Sequence, residues 1–446
     1  MDFVSFLPSV GGFAMTVLAF IVALSVIVFV HEYGHYIVGR WSGIKAEIFS
    51  LGFGPVLAAW TDKRGTRWQI AALPFGGYVK FLGDSDAASG KDAEGIEDLS
   101  SDERRHTMHG APLWARTATV AAGPVANFIL SILVFGGVVM ATGVATEEPA
   151  VGDVKPMPAE IAVGLEPGDR IAAIDGVQTP DYTAFYEYAR EAAPTPQKDY
   201  TVARAGTETT VPGPFPLPPL IETVQPQSAA LSAGLQAGDL IRAVDGQPIW
   251  AFHQLQEIVA ASDGAPLGLT VWRAGEELEF KLIPKLVDLP NGEGGWEQRT
   301  MIGISGGTFF EPRTYTPGPV EALGLGVDRT WAVVNGSLSG LWHMVTGAIS
   351  ACNLQGPIGI AETSGAAARQ GLESFVWFIA VLSTAVGLLN LFPVPVLDGG
   401  HLVFFGYEAV TGRPPSDKAL RIMMAIGLAL ILTLMVFALT NDLFCP

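Results

Sequence analysis

Two histidines and a glutamate sit in the stretch FVHEYGHYIVGR, residues 29–40, after a run with no charged residue between Asp2 and His31. His31 and His35 are four residues apart, which on a helix puts both rings on one face. That spacing lets two imidazole nitrogens grip one Zn2+. Glu32, beside the first ligand, would serve as base toward water at the metal. A charged side chain at the centre of a bilayer costs about 3 kcal/mol on insertion scales, so a polar cluster there marks a working site.

A catalytic zinc takes three protein ligands and keeps one position open. Besides the first motif, four His, Asp or Glu residues lie within or beside the apolar stretches: Glu373, Asp398, His401 and Glu408. Glu373 falls at the outer end of its stretch. Asp398, in NLFPVPVLDGGHL, falls at the inner end, as His31 and His35 do, and His401 is the alternative ligand three residues on. Pro393 and Pro395 each remove a backbone donor and must break the helix. Broken helices are tolerated at membrane depth where the backbone is buried in protein or lines a wet cavity. An unwound segment ending in Asp398-Gly399-Gly400 would bend a carboxylate toward the metal.

Long apolar elements must position these groups. Hydrophobic residues make up 49% of the 446 and charged ones 16%, which points to a membrane protein with a polar part. Four stretches read as spans: Phe13 to Tyr36, Thr117 to Gly143, Phe375 to Leu397 and Leu420 to Leu439. The first has no basic residue before Arg40, so it reads as a retained span and not a signal peptide. Residues 40–116 hold ten Lys/Arg, and Arg413, Lys418 and Arg421 follow the third span. This bias puts both loops inside and residues 145–372 outside. That outer segment carries 13 Lys/Arg against 27 Asp/Glu, and the whole chain is −18, which argues against nucleic acid as a partner. Thr330 to Ser350 has no formal charge if His343 is neutral. Its Asn335, Ser337, Ser339 and Thr346 make it an amphipathic helix on the membrane surface, not a fifth span.

The outer segment repeats. Pro149 to Gly176 aligns without gaps to Pro219 to Gly246, with 12 identities in 28 positions. Each copy has a Gly-Leu-x-x-Gly-Asp turn (Gly164, Leu165, Gly168, Asp169; Gly234, Leu235, Gly238, Asp239), then an apolar strand ending in Asp-Gly. The glycines allow positive φ there. The pattern resembles PDZ domains, whose groove takes an extended peptide or its C-terminus as an added strand. A steric filter over the membrane is the other use. Cys352 and Cys445 are both placed outside, where a bridge between them is open chemistry.

HEYGH in the first span together with LNLFPVPVLDGGH in a late one resembles the site-2 protease family of intramembrane zinc metalloproteases, over essentially the whole chain. The resemblance implies Zn2+ as cofactor, with His31, His35 and Asp398 as ligands and Glu32 as catalytic base. It implies that Asn390 holds substrate or polarises the scissile carbonyl, in a motif with Pro393 and Pro395. TRWQIAALPFGGYVKFLG, residues 66–83, resembles the family's membrane-associated β-hairpin, with Gly76, Gly77 and Tyr78 at a substrate-pairing edge. FSLGFGP, residues 49–55, resembles a Gly-rich loop there. Gly123, Pro124 and Asn127 lie at depth in the second span, and Asn127 either contacts substrate or ties helices together.

The expected fold is therefore an α-helical membrane protein of four transmembrane helices and a membrane-associated β-hairpin, with two inserted PDZ-like α+β domains. The boundaries are 1–40 for the first span, 41–116 for the inner loop and hairpin, and 117–143 for the second span. The PDZ-like domains take 144–220 and 221–312, and the surface region 313–372. The third span takes 373–400, and 401–446 the fourth span and tail. Expected partners are single-span membrane proteins already trimmed outside, of anti-sigma-factor type, or signal-peptide remnants, with lipid around the spans. The setting is a bacterial inner membrane with the PDZ-like pair in the periplasm. The competing readings are a non-catalytic PDZ adaptor, which has no use for Glu32 or Asp398, and a proton-coupled transporter, which would repeat its membrane half.

Overall fold

The computed structural model describes residues 3–84, 100–291 and 295–445; part of the expected inner loop, 85–99, lies outside them. The chain forms two compact units: residues 1–138, 319–345 and 351–446, and residues 139–318 with 346–350.

In the first unit, α1 (Phe3–Trp41) runs unbroken through both histidines. A short α2 (Ser101–Arg105) and then α3 (Leu113–Thr142) follow. Among the described residues four helices are long and apolar enough to cross a membrane: Gly12–Trp41, Leu113–Thr142, Leu372–Asn390 and Lys418–Phe444. Their large apolar side chains point outward, as at Phe13, Leu18, Ile129, Leu133, Ile426 and Val436, which only a lipid solvent favours. The third of them stops at Asn390, short of the expected Leu397, because Pro393 and Pro395 cannot continue it.

Between α1 and α3, strands β1 (Ala46–Thr61) and β2 (Arg67–Phe81) pair antiparallel. They form more than a simple hairpin. Each is bent, so Ser50 pairs with both Tyr78 and Gln69, while Ala59 pairs with Gln69 from the far side. Four short segments result, with 77–81 and 56–61 at the two free edges. Tyr36, Ile44, Phe49, Val79, Phe81, Met108 and Ala115 form the core that binds this sheet to the C-terminal end of α1 and the N-terminal end of α3.

The second unit holds the repeat. β3 (Val144–Ala145) and β4 (Val151–Val154) precede a sheet of β5 (Arg170–Ile174), β6 (Val177–Gln178), β7 (Lys198–Arg204) and β8 (Thr207–Gly213), in the order β6-β5-β7-β8, with α4 (Tyr182–Glu191). After β9 (Ile221–Val224) and α5 (Ala229–Ala233), the second copy repeats this as β10 (Leu240–Val244), β11 (Gln247–Pro248), β12 (Leu267–Arg273) and β13 (Glu276–Leu282), with α6 (Phe252–Ala261), in the order β11-β10-β12-β13. Both Asp-Gly turns are as expected: Asp175 and Asp245, like the glycines after them, take positive φ. Gly168, Gly234 and Gly238 also have positive φ, but Gly164 does not. In the second copy Ser228 caps α5 and Gly234 ends it, whereas the first copy, with Pro158 at the position of Ser228, forms no such helix. Past a hairpin of β14 (Lys285–Pro290) and β15 (Trp296–Met301), β16 (Ile304–Gly306) pairs with β9, β17 (Phe310–Pro312) with β4, and β18 (Thr314–Tyr315) with β3. One stretch of chain therefore completes both copies in turn.

Back in the first unit, α7 (Pro319–Val345) packs Ala322, Gly326, Thr330 and Val334 inward and exposes Val320, Trp331 and Trp342. It is not among the four span candidates. α8 (Pro357–Gln370) leads through Gly371 into α9 (Leu372–Asn390). Then come α10 (Asp398–Thr411) and α11 (Asp417–Phe444). Cys352 and Cys445 form a disulfide. Beside it the Asp442 carboxylate accepts from the backbone N–H groups of Gly356, Ile358 and Gly359 at 2.8–3.2 Å, satisfying orphan donors at the start of α8.

The two Gly-Leu-x-x-Gly-Asp turns are locked alike. Arg204 donates to both oxygens of Asp169 at 2.8 and 2.7 Å and to Gly164 O, and Arg273 does the same for Asp239 and Gly234. Both carboxylates are 1% exposed. Hydrogen bonds from Arg204 hold the Asp169 carboxyl below the usual carboxylate range. Its stabilisation is therefore complete above about pH 4 and is lost as pH falls further, through the lowered value. Arg204→Ala should destabilise the first repeat by leaving the Asp169 carboxylate, 1% exposed, without its two-pronged partner. It should also reduce this acid loss, part of which the Glu166 N–H bond to Asp169 retains. Hydrogen exchange of the β5 amides as a function of pH checks both.

Candidate metal centre

α1 supplies His31 and His35, whose Nε2 atoms face each other at 3.2 Å with the rings perpendicular. Asp398 Oδ2 lies 3.2 Å from His31 Nε2 and 3.5 Å from His35 Nε2. The two imidazoles are each 12% exposed and the carboxylate 17%. No other group of three such side chains meets the same spacing among the described residues.

The ring nitrogens away from the cluster fix its chemistry. His35 Nδ1 is 2.8 Å from the Thr119 carbonyl, an acceptor only, so Nδ1 carries the proton and Nε2 presents a lone pair. His31 Nδ1 is 3.3 Å from the Asn127 side-chain amide, whose oxygen has no other partner. The two ends of an amide are distinguished only by their hydrogen bonds. Turning the oxygen onto the ring gives His31 an Nδ1–H donor bond and again leaves Nε2 as a lone pair. Two lone pairs and a carboxylate oxygen then converge on one point.

A metal fits that point. Ligands about 2.0 Å from a tetrahedral zinc lie about 3.3 Å apart, and the three observed separations are 3.2, 3.2 and 3.5 Å. Asp398 Oδ2 is buried with no hydrogen-bond partner. Gly123 of α3 completes the cradle: a Cβ there would run into His35 Nε2 and come within 2.9 Å of His31 Cε1.

Asp398 arrives by a route the sequence described only partly. The unwound segment runs from Leu391 to Leu397, and Asp398 itself opens α10 instead of ending the loop. Gly399 and Gly400 let that helix start against the carbonyls of Leu391, Phe392 and Val394. His401 is on the same helix but outside the cluster. Glu32 runs along the edge segment of β2, where a Cβ on Gly77 would be 3.0 Å from its Cγ, and the Val79 N–H faces its carboxylate. Tyr78 accepts from Gln69 and stacks on Phe53, and Gly76 has φ +128° beside the same ring. Asn390 ends α9 with Nδ2 donating to Val386 O at 3.1 Å. Pro395 lies in the unwound segment, where the Cβ position of Gly427 on α11 is 3.1 Å from its ring. Pro393 is in the same segment. The Gly-Leu-x-x-Gly-Asp residues belong to the second unit and are engaged as described above. The carbonyl of Thr119 was not foreseen.

A family model described as peptidase family M50 matches residues 19–434. The chain is 39% identical over 431 residues to an Agrobacterium fabrum protein provisionally named a zinc metalloprotease, covering 96% of this chain and 95% of the relative. It is 35% identical over 463 residues to the regulator of sigma-E protease RseP of Escherichia coli, covering 97% and 99%. A Salmonella typhimurium protein of the same name is 34% identical over 456 residues, covering 95% and 97%.

Substituting Gly123→Ala should reduce zinc retention at least tenfold while the helices persist, because the methyl displaces both rings. Asn127→Leu should reduce it about 10–100-fold by removing the orienting partner of His31. Zinc content after dialysis, read beside circular dichroism, checks both.

Proposed function

Because this chain belongs to peptidase family M50, the site-2 proteases, it is a zinc metalloprotease, and we propose that it cuts single-span membrane proteins within or beside the bilayer. The observation that supports this best is the convergence of His31 and His35, toward the C-terminal end of the apolar α1, with Asp398 at the start of α10, and with Glu32 alongside. Zinc bound there would supply a Lewis acid that acidifies water and polarises the scissile carbonyl. Glu32 takes the proton from the attacking water and returns it to the leaving nitrogen. His31 and His35 are oriented through Asn127 and Thr119.

A helical peptide bond is shielded by its own hydrogen bonds, so the substrate must unwind before it is cut. The free edge at 77–81 runs beside Glu32 and offers replacement backbone partners to an extended segment. The exposed Leu57, Trp60, Leu73 and Phe75 suit contact of this sheet with lipid. Asn390, released from Val386, would hold the substrate carbonyl, and the kink at Pro393 and Pro395 keeps the backbone there open. Substrates are anti-sigma-factor-type proteins already trimmed outside, or signal-peptide remnants. The charge pattern supports a bacterial inner membrane protein of four spans, with the two repeats as PDZ-like domains in the periplasm and α7 at the membrane surface.

A purified chain in detergent should cleave a single-span reporter with a short outer tail. Glu32→Gln should lower the rate at least a thousandfold, and a zinc chelator should abolish it. Cleavage unchanged by Glu32→Gln would refute the assignment.

The PDZ-like pair is proposed as a size filter. Ala145 pairs with Thr314, so residues 149–312 can be excised with a short linker joining neighbouring strands. The excised chain should then cut a reporter with a bulky folded outer domain that the full chain rejects. If it also loses the short-tailed reporter, the pair captures a carboxyl terminus instead.

A further inference from the structure

Two of the three ligands share one continuous helix, but Asp398 comes on α10, which is joined to α9 by the unwound residues 391–397. Something else must fix that helix. Asp398, Leu402, Phe405 and Glu408 lie along one face of it, at steps of four, three and three. Leu402 and Phe405 pack on the inner core. Glu408, one turn further, accepts from both terminal nitrogens of Arg116, at 3.0 and 2.6 Å. All three guanidinium nitrogens are engaged: Nε donates to Ala111 O at 3.0 Å, and the guanidinium carbon lies 5.3 Å from the centre of the Phe405 ring. The side chains are 14% and 17% exposed, so the pair is largely shielded from water and salt.

Arg116 stands on α3, on the same stripe as Thr119, Gly123 and Asn127. The helix that orients both histidine rings thus also grips the helix that carries the carboxylate. We propose that Arg116 and Glu408 are positioning residues for the metal centre, a latch that sets the rotation and the axial register of α10 so that Asp398 meets the two imidazoles. This rests on the reading of His31, His35 and Asp398 as zinc ligands. A two-pronged fork is suited to the task because it fixes direction as well as distance, which a point charge does not. A slip of α10 by one residue moves Asp398 about 1.5 Å along the axis and turns it about 100°, enough to remove it from the cluster.

The test uses the full chain in detergent with Glu408→Gln, Arg116→Lys and the double variant Arg116→Gln/Glu408→Gln. Three quantities are read: the rate of zinc loss to a chelator, kcat and KM on the single-span reporter, and the thermal midpoint. Glu408→Gln should lose zinc about tenfold faster and cut with kcat about tenfold lower at nearly unchanged KM. Arg116→Lys, which keeps the charge without the fork, should fall between it and the parent. The double variant should be no worse than Glu408→Gln, since both residues act through one contact. If Glu408→Gln does not fold, Arg116→Lys carries the test. Parent-like zinc retention and kcat in the folded variants would overturn the latch. So would a thermal midpoint that falls while zinc loss and kcat stay unchanged, which marks a purely structural pair. A parent chain that holds no zinc, or that still cuts after His31→Ala, overturns the metal reading itself and the latch with it.

Discussion

Two imidazole nitrogens and a carboxylate oxygen face one another within 3.5 Å, and as lone pairs they repel unless a metal ion or a proton lies among them. In a site screened from water that repulsion is strong, because a low dielectric weakens no charge. The surrounding structure is arranged to hold the three groups together all the same. The backs of both rings are bound to α3, the carboxylate is fixed at a helix start, and a glycine leaves the space they share. Such a cluster would not persist as simple packing, since apolar residues of the same volume would be more stable. It is intelligible as a metal centre.

Much of the first unit follows from that need. α1 must be continuous through His31 and His35, so that both rings leave one face, and it is. α3 must come close enough for a backbone carbonyl and an amide to reach the rings. Small residues permit this where α1 and α3 meet, as at Gly34 against Ala122 and Ala126, the usual means of close helix contact in lipid. α9 must end and α10 restart so that a carboxylate can turn inward, and two prolines impose that break. The curled sheet of β1 and β2 then covers Glu32 from the other side, with the Val79 N–H at its carboxylate.

The residues that converge were more legible in the sequence than the architecture that supports them. His31, Glu32 and His35 could be read from a four-residue spacing, and Asp398 from its depth and its motif, because few polar residues fall within apolar stretches at all. The Asp-Gly turns of the repeat could be read from local backbone preference. The double pairing of Ser50 within the curled sheet could not, because it depends on how two bent strands fold over each other. Nor could the use of 304–312 to complete both copies of the repeat, a pairing between segments up to about 160 residues apart that no local pattern encodes. The Thr119 carbonyl was hidden for another reason: a backbone atom leaves no mark in residue type. The disulfide between Cys352 and Cys445 was an open pairing in the sequence because spacing along the chain says nothing of reach.

The most direct test of the central claim is the zinc absorption spectrum of the purified Glu32→Gln chain, whose ligands are intact and whose substrate is not consumed. One zinc per chain, with two imidazole nitrogens and a carboxylate oxygen at about 2.0–2.2 Å and no sulfur, is the result this account requires, with one imidazole lost in His35→Ala. A chain that binds no zinc, or one whose zinc keeps the same ligands after His35→Ala, would contradict it.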